Sequence, residues 1–267
     1  MPELPEVETI VRALKPELVG RTILSADLRW ARSLAAPSPA QFKKQIAGQK
    51  ILDLSRRAKY LVFQLESYSF LVHLRMSGDL TVRAGKIETE KHDRLLLRLS
   101  GEKYLAFNDP RKFGRVWLTT RPETVLGGLG PEPLEKGFTP RWLFHALQSR
   151  RRALKPLLLD QTFLAGLGNI YADECLHLAK LHPRAASNHV SEKQAQALYR
   201  AIRSVLREGI RRSGASIDWV YRGGGYQNHF RVYDREGKPC PVCGAAIQKF
   251  TVGQRGTHIC PNCQRLR

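Results

Sequence analysis

The chain has 267 residues, 42% of them hydrophobic, and carries 44 Lys and Arg against 24 Asp and Glu, a formal charge of +20. That length supports one large or two medium domains with real cores, and the charge points to a polyanionic partner, nucleic acid first and an anionic membrane surface second. No stretch approaches the ~18 apolar residues of a membrane span, and no basic-then-apolar leader opens the chain, so a cytoplasmic protein is expected.

The chain opens Met1-Pro2-Glu3-Leu4-Pro5-Glu6. Two readings fit. Pro5 followed by Glu6 and Glu8 suits the first turn of a helix, where acids favour the positive end. Alternatively, removal of Met1 exposes the secondary amine of Pro2, and a generic α-amine titrates near ~8, so an attacking lone pair is available close to neutrality. Val7, Ile10, Val11, Leu14 and Leu18 follow at helical spacing, with Gly20 as a stop.

From there to about position 119 the pattern turns to short β-rich runs. Strands are predicted over 22–29, 50–54, 60–65, 70–75, 80–83, 94–99, 104–107 and 115–118. Turn signals separate them at Ser77-Gly78-Asp79, Ser100-Gly101 and Asn108-Asp109-Pro110. Eight short strands at this spacing predict a two-sheet sandwich rather than βαβ units. The Ala-, Ser- and Pro-rich stretch 31–39 is expected to be a loop. Gly and Pro crowd 126–133, which marks a domain boundary. Helices are predicted over 140–148, 152–163, 169–181 and 191–212, the last with a capping box of Ser191 and Gln194. Residues 214–230 look irregular. The expected division is 1–130, 131–235 and 236–267, an α+β chain overall.

Cys240-x2-Cys243 and Cys260-x2-Cys263 are the most specific local signal. Four thiolates at hairpin distance suit one tetrahedral, closed, structural zinc, with a redox or disulfide role as the alternative. Strands over 245–251 and 257–259 are expected to pair, with 252–256 as the turn. Cys175, on an apolar helix, reads as packing.

Other groups admit two readings each. Arg255, on the hairpin turn, suits a bidentate phosphate grip or is a solvated cation. Gly166-Leu167-Gly168-Asn169 opens a helix whose N–H groups form an anion site, with Asn169 as N-cap, or is an ordinary turn. Arg111 and Phe113 on one loop suit a base edge and a wedge in a base stack. Met76, at another strand end, is a third candidate wedge, with core packing the reading preferred by position alone. Lys59 and His73 suit phosphates, or are respectively solvated and structural. Glu174, on an apolar helix, requires a cationic partner.

Together these segments resemble one family. MPELPEVETI at 1–10, RAKYL at 57–61, HLRMSG at 73–78, NDPRKFGR at 108–115, LAGLGNIYADE at 164–174 and VGQRGTHICPNCQ at 252–264 stand where formamidopyrimidine-DNA glycosylases have their motifs. The likeness covers essentially the whole chain. The sister group acting on oxidised pyrimidines typically has Gly at the position of Leu4 and lacks the Asp-Pro-Arg-x-Phe-Gly pattern, so the purine branch is implied.

The resemblance implies a β-sandwich with an N-terminal helix, a helical domain with a helix–two-turn–helix motif, and a C-terminal zinc-finger hairpin, with DNA between the domains. It implies Pro2 as nucleophile, Glu3 as general acid and base, and Lys59 and Arg255 in the catalytic set. Glu6 and Glu174 would support the amine. His73, His92 and Asn169 would hold DNA, and Met76, Arg111 and Phe113 would fill the gap left by a flipped base. Cys240, Cys243, Cys260 and Cys263 would hold one structural zinc, with no other cofactor. The implied partner is double-stranded DNA containing oxidised bases or abasic sites, met by a monomer in the bacterial cytoplasm at the nucleoid. Two departures stand out. The loop within 216–230 is shorter than the family's, with Asp218 where Arg is common, and Ala58 replaces a frequent Gly, with little effect expected. A rival of another class, a zinc-ribbon DNA-binding protein without catalysis, shares the charge and the cysteines; the intact Pro2-Glu3 pair favours the enzyme.

Overall fold

A computed structural model describes residues 1–86, 89–216 and 223–266. The chain divides into two units, one of Met1–Pro2, Glu6–Gly128 and Ser216–Arg222, the other of Glu3–Pro5, Leu129–Ala215 and Gly223–Arg267.

In the first unit, the apolar face of α1 (Leu4–Leu18) lies against a β-sandwich, with Val7, Ile10, Val11, Leu14 and Leu18 all in its core. One sheet holds β1 (Ile23–Leu28), β7 (Asp93–Leu99), β8 (Lys103–Asn108) and β6 (Asp79–Ala84), in that order. The other runs β2 (Leu34–Ala36), β9 (Arg115–Thr119), β5 (Ser69–His73), β4 (Tyr60–Leu65) and β3 (Ile51–Arg57). All pairings are antiparallel except β2 with β9. Strands alternate in period two, so each sheet turns Leu, Phe and Val inward to one shared core. Arg56 of β3 pairs with Glu8 of α1 at 3.1 Å and fixes the helix against the sheet.

The stretch expected as a loop is structured. Ala31–Ser33 forms a 3-10 turn, and β2 follows it in parallel pairing with β9. Its alanines have little β preference, and the neighbouring strand supplies what local propensity lacks. Helix α2 (Pro39–Ile46) was legible but unread: Ser38 and Gln41 form a capping box, Pro39 sits in the first turn, and Phe42 and Ile46 are buried one turn apart. Helix α3 (Glu123–Leu126) closes the unit.

The second unit packs α4 (Pro140–Gln148), α5 (Leu154–Leu159), α6 (Asn169–Leu178) and α7 (Glu192–Arg211). The Ser191–Gln194 capping box of α7 forms as expected. Helix α5 is shorter than predicted, because Asp160 folds its carboxylate onto the amide and hydroxyl of Thr162 and turns the chain. Strands β10 (Gln248–Val252) and β11 (Arg255–Ile259) pair through a two-residue turn, in which Gly253 and Gln254 have φ of 54° and 62°. Two successive left-handed residues match the twist of a hairpin. Arg255 therefore opens β11 instead of sitting on the turn. The shortened loop's Asp218 lies outside the described residues. No described helix is long and apolar enough to cross a membrane.

Candidate functional site

Helix α6 is buried on nearly every side: residues 170–177 are all buried. Its polar groups and its orphan N-terminal amides must therefore find partners inside the protein. Asn169 is not the cap; it is the first helical residue, and Gly168 stands at the cap without a side chain. The cap comes from Glu3, 165 residues earlier. Its carboxylate accepts the amides of Gly168 (2.6 Å), Ile170 (3.0 Å) and Tyr171 (3.4 Å). A Cβ on residue 168 would overlap the Glu3 side chain, so glycine is required there. Leu4 continues the docking through its amide to Gly166 O at 3.1 Å. The helix dipole and three N–H donors thus hold one buried carboxylate in a single orientation, covalently next to Pro2. Pro2 itself is buried behind the exposed Met1.

One face of α6 fixes the zinc hairpin. Asn169 Nδ2 donates to Gly256 O at 3.0 Å, and Asp173 accepts the amide of His258 at 2.9 Å. Asp173 also pairs with Lys155 at 2.6 Å, both side chains fully buried. Lys155 completes its set by donating to Gly256 O (2.8 Å) and Thr257 Oγ1 (2.9 Å). Burial pulls the Lys155 ammonium below its ordinary range, and the Asp173 carboxylate opposes that shift. Removing one member of such a pair typically costs about 3–5 kcal/mol, because the other charge is stranded. The start of β11 is thereby held rigid, and the exposed Arg255 side chain stands on it.

Glu174 does not depend mainly on a cation. It accepts the successive amides of Arg231 (2.9 Å), Val232 (2.9 Å) and Tyr233 (3.0 Å), with the Arg231 guanidinium farther off at 3.6 Å. Burial pushes its carboxyl up, and the three amides act against that.

In the first unit, Asp109 organises two loops. It is fully buried. One carboxylate oxygen accepts the Ser77 hydroxyl and the Arg111 amide (3.2 Å), the other the Gly114 amide (2.7 Å). Its backbone amide donates to His92 O at 2.9 Å, and its carbonyl accepts Arg94 Nε at 2.8 Å. The β5–β6 and β8–β9 connections are tied to one carboxylate, and each exposes a large apolar side chain beside its cations, Met76 next to Arg75 and Phe113 next to Arg111 and Lys112. Met76 is 41% exposed and Phe113 50%. Exposure of that size excludes core packing for Met76. The Arg111 guanidinium lies 5.1 Å from the Phe113 ring centre. His92, half-buried, has Nδ1 3.3 Å from Arg94 Nη2.

His73 ends β5, buried, with its ring edge-on to Tyr60 at 4.7 Å. Burial, then the charges of Arg75 and Lys59, push its pKa down to about 3. Nδ1 accepts the Arg75 amide at 3.0 Å, so the neutral ring carries its proton on Nε2. His73 offers a neutral N–H donor, not a charge. Lys59 and Glu6 are buried in the same unit. Ala58, beside Lys59, has φ 53°. A left-handed alanine costs roughly 1–2 kcal/mol relative to glycine, so the Gly-to-Ala departure has a backbone consequence.

The four cysteines bring their sulfurs within 4.8 Å of one another. Cys243 and Cys260 Sγ are 3.3 Å apart, and Cys240 and Cys263 Sγ 3.9 Å, too far for disulfides. Four thiols in one cluster suit a single structural zinc. Cys175 is fully buried, as expected for packing.

Asp109, Arg94, Lys155 and Asp173 were not singled out from sequence. Lys155 and Asp173 each carried a signal, a charge in an apolar helical run, Asp173 beside Glu174. They pair with each other across eighteen positions, and their hairpin partners lie 85 to 102 positions away, which spacing does not disclose.

Three family models match in succession: the formamidopyrimidine-DNA glycosylase N-terminal domain over 1–116, the formamidopyrimidine-DNA glycosylase H2TH domain over 129–220, and the zinc finger found in FPG and IleRS over 237–266. Formamidopyrimidine-DNA glycosylase of Pelotomaculum thermopropionicum is 45% identical over 278 residues, covering 100% of both chains. That of Chloroflexus aurantiacus is 46% identical over 99% of this chain and 98% of its own. The wild-type Lactococcus lactis Fpg, solved with DNA containing N7-benzyl-Fapy-dG, superposes with a TM-score of 0.93 at 38% identity, over 99% of this chain and 100% of that one. The same protein in complex with abasic-site DNA gives 0.92 at 37% identity, over 98% and 99%.

Proposed function

The chain belongs to the formamidopyrimidine-DNA glycosylase family, and from that premise we propose that it excises oxidised purines from duplex DNA and then cleaves the strand at the abasic site. The observation that carries this reading is Glu3: a buried carboxylate held at a helix N-terminus and bonded directly to Pro2. A helix cap alone would not need to come from the residue following a potential amine nucleophile.

A base inside a duplex is out of reach until it is flipped, which costs a few kcal/mol. Met76, Arg111 and Phe113 offset that cost by filling the vacated stack, with Arg111 toward the orphaned base. Lys59, His73, His92, Asn169 and Arg255 hold the DNA around the lesion, His73 as a neutral donor. The Pro2 nitrogen attacks C1′, the C1′–N bond to the base breaks, and the base leaves with a proton. Opening of the sugar ring yields an iminium between Pro2 and C1′. The cation acidifies the C2′ proton; its removal expels the 3′ phosphate, and a second elimination expels the 5′ phosphate. Glu3 moves the protons, and Glu6 and Glu174 support the amine's surroundings. Zinc supplies structure only. In this division, residues 1–130 carry nucleophile and wedges, 131–235 the helical DNA-binding part, and 236–267 the finger bearing Arg255.

Matched duplexes containing 8-oxoguanine or thymine glycol test the substrate assignment. Faster excision of 8-oxoguanine is expected, and clear preference for thymine glycol would overturn it. Glu3→Gln tests the proton role. Single-turnover excision should fall by about 10²–10⁴-fold, the usual worth of a positioned acid or base. Glu3→Ala should add a loss of about 1 kcal/mol of stability, read by denaturant melts, because the α6 amides lose their cap. Wild-type excision by folded Glu3→Gln protein would remove Glu3 from the chemistry.

A further inference from the structure

His177 is a second feature of α6 that packing does not explain. It is 2% exposed, on the helix's last turn, where an apolar side chain would avoid burying a ring with two nitrogens. Its Nε2 lies 3.4 Å from Cys240 Sγ. Its Nδ1 has no hydrogen-bond partner among the described residues. The sulfur is therefore the polar contact that the ring serves. His177 is not itself in the ligand cluster, which consists of the four cysteines.

Cys240 needs such a donor. It is buried in a small apolar cluster with Val232, Ile247 and Cys260, away from water. Apart from the His177 ring, the Val242 amide donates to it, at 3.4 Å. A zinc-bound thiolate offers only lone pairs, so the imidazole must carry its proton on Nε2, which leaves the unpartnered Nδ1 bare. Residues 169, 173 and 177 lie one turn apart on a single face of α6. Asn169 and Asp173 hold the hairpin backbone from that face, and His177 reaches the zinc ligand itself.

We propose that His177 is a positioning residue for the zinc centre: it donates Nε2–H to the Cys240 thiolate and thereby slows zinc release from the finger. The hydrogen bond withdraws electron density from the sulfur, which disfavours its protonation and its attack by electrophiles, the steps that open a thiolate site.

The full-length protein carrying zinc provides the test, with His177→Phe and His177→Gln as variants. Zinc transfer to excess chelator should be 10–100-fold faster in His177→Phe, the range typical of lost outer partners of metal ligands. His177→Gln, whose amide N–H reaches a similar distance, should recover most of the slow rate. With cobalt(II) in place of zinc, the sulfur-to-metal charge-transfer band should move to lower energy in His177→Phe and return toward wild type in His177→Gln. Imidazole nitrogen shifts in the wild-type protein give a reading that no variant's folding can obscure: Nε2 protonated and Nδ1 bare. The proposal is overturned by the opposite tautomer, by unchanged release in His177→Phe, by equal defects in both variants, or by a cobalt spectrum of three sulfurs and one nitrogen.

Discussion

Replacing Pro2 by glycine is expected to lower the borohydride-trapped protein–DNA adduct by on the order of 10²–10⁴-fold, with the fold unchanged by circular dichroism. A secondary amine condenses to an iminium that is necessarily cationic. A primary amine gives an imine that must first be protonated, and glycine also frees the backbone that proline restricts. Pro2 is buried and bonded to a residue whose side chain is fixed by three amides, so small displacements of the nitrogen matter. Intact mass is the control. Protein that retains Met1 has no free Pro2 amine and should give no adduct. An active, adduct-forming preparation that still carries Met1 would sink the assignment of the nucleophile.

Withdrawing zinc should have the second large effect. The finger's own core consists of Val232, Cys240, Ile247 and Cys260, far too few residues to offset the ordering of 237–266. Structural zinc contributes roughly 10–16 kcal/mol to folding such a segment, so chelation should melt the β10–β11 hairpin. Arg255 then loses its mount, and Lys155 loses the Gly256 and Thr257 oxygens that accept two of its protons. Duplex affinity should fall by about 10²-fold or more, as expected when several phosphate contacts go together. Hydrogen exchange should show lost protection in β10 and β11 while the β-sandwich strands keep theirs. Metal-free protein with a protected hairpin and undiminished duplex affinity would contradict this account.

The fold was legible where it depends on local periodicity. The eight strands predicted in the sandwich all form, with ends shifted by at most three residues, because β-rich runs bounded by turn signals mark a strand without reference to its partner. The cysteine spacing indicated the zinc site for the same reason: two short knuckles contain their own geometry. Strand β2 was not legible, since its pairing with β9 lies about eighty positions away. The Ser38–Gln41 box shows that α2 was present in the sequence and missed.

The opening residues show where sequence stops. By itself the sequence determined that Pro2 and Glu3 are adjacent, that a helix begins behind them, and that a glycine turn opens a second helix near 168. It left the opening undecided between a plain helix start and an amine nucleophile, and it offered Asn169 as the cap. Only the tertiary structure decided that Glu3 is that cap. The same holds for Asp109, whose carboxylate presents Met76 and Phe113 outward, and for His177, which serves a sulfur. The physical reason is common to all three. Burying a charge or a polar ring is costly, so its position is set by whichever donor the fold brings near, and sequence spacing records only neighbours along the chain.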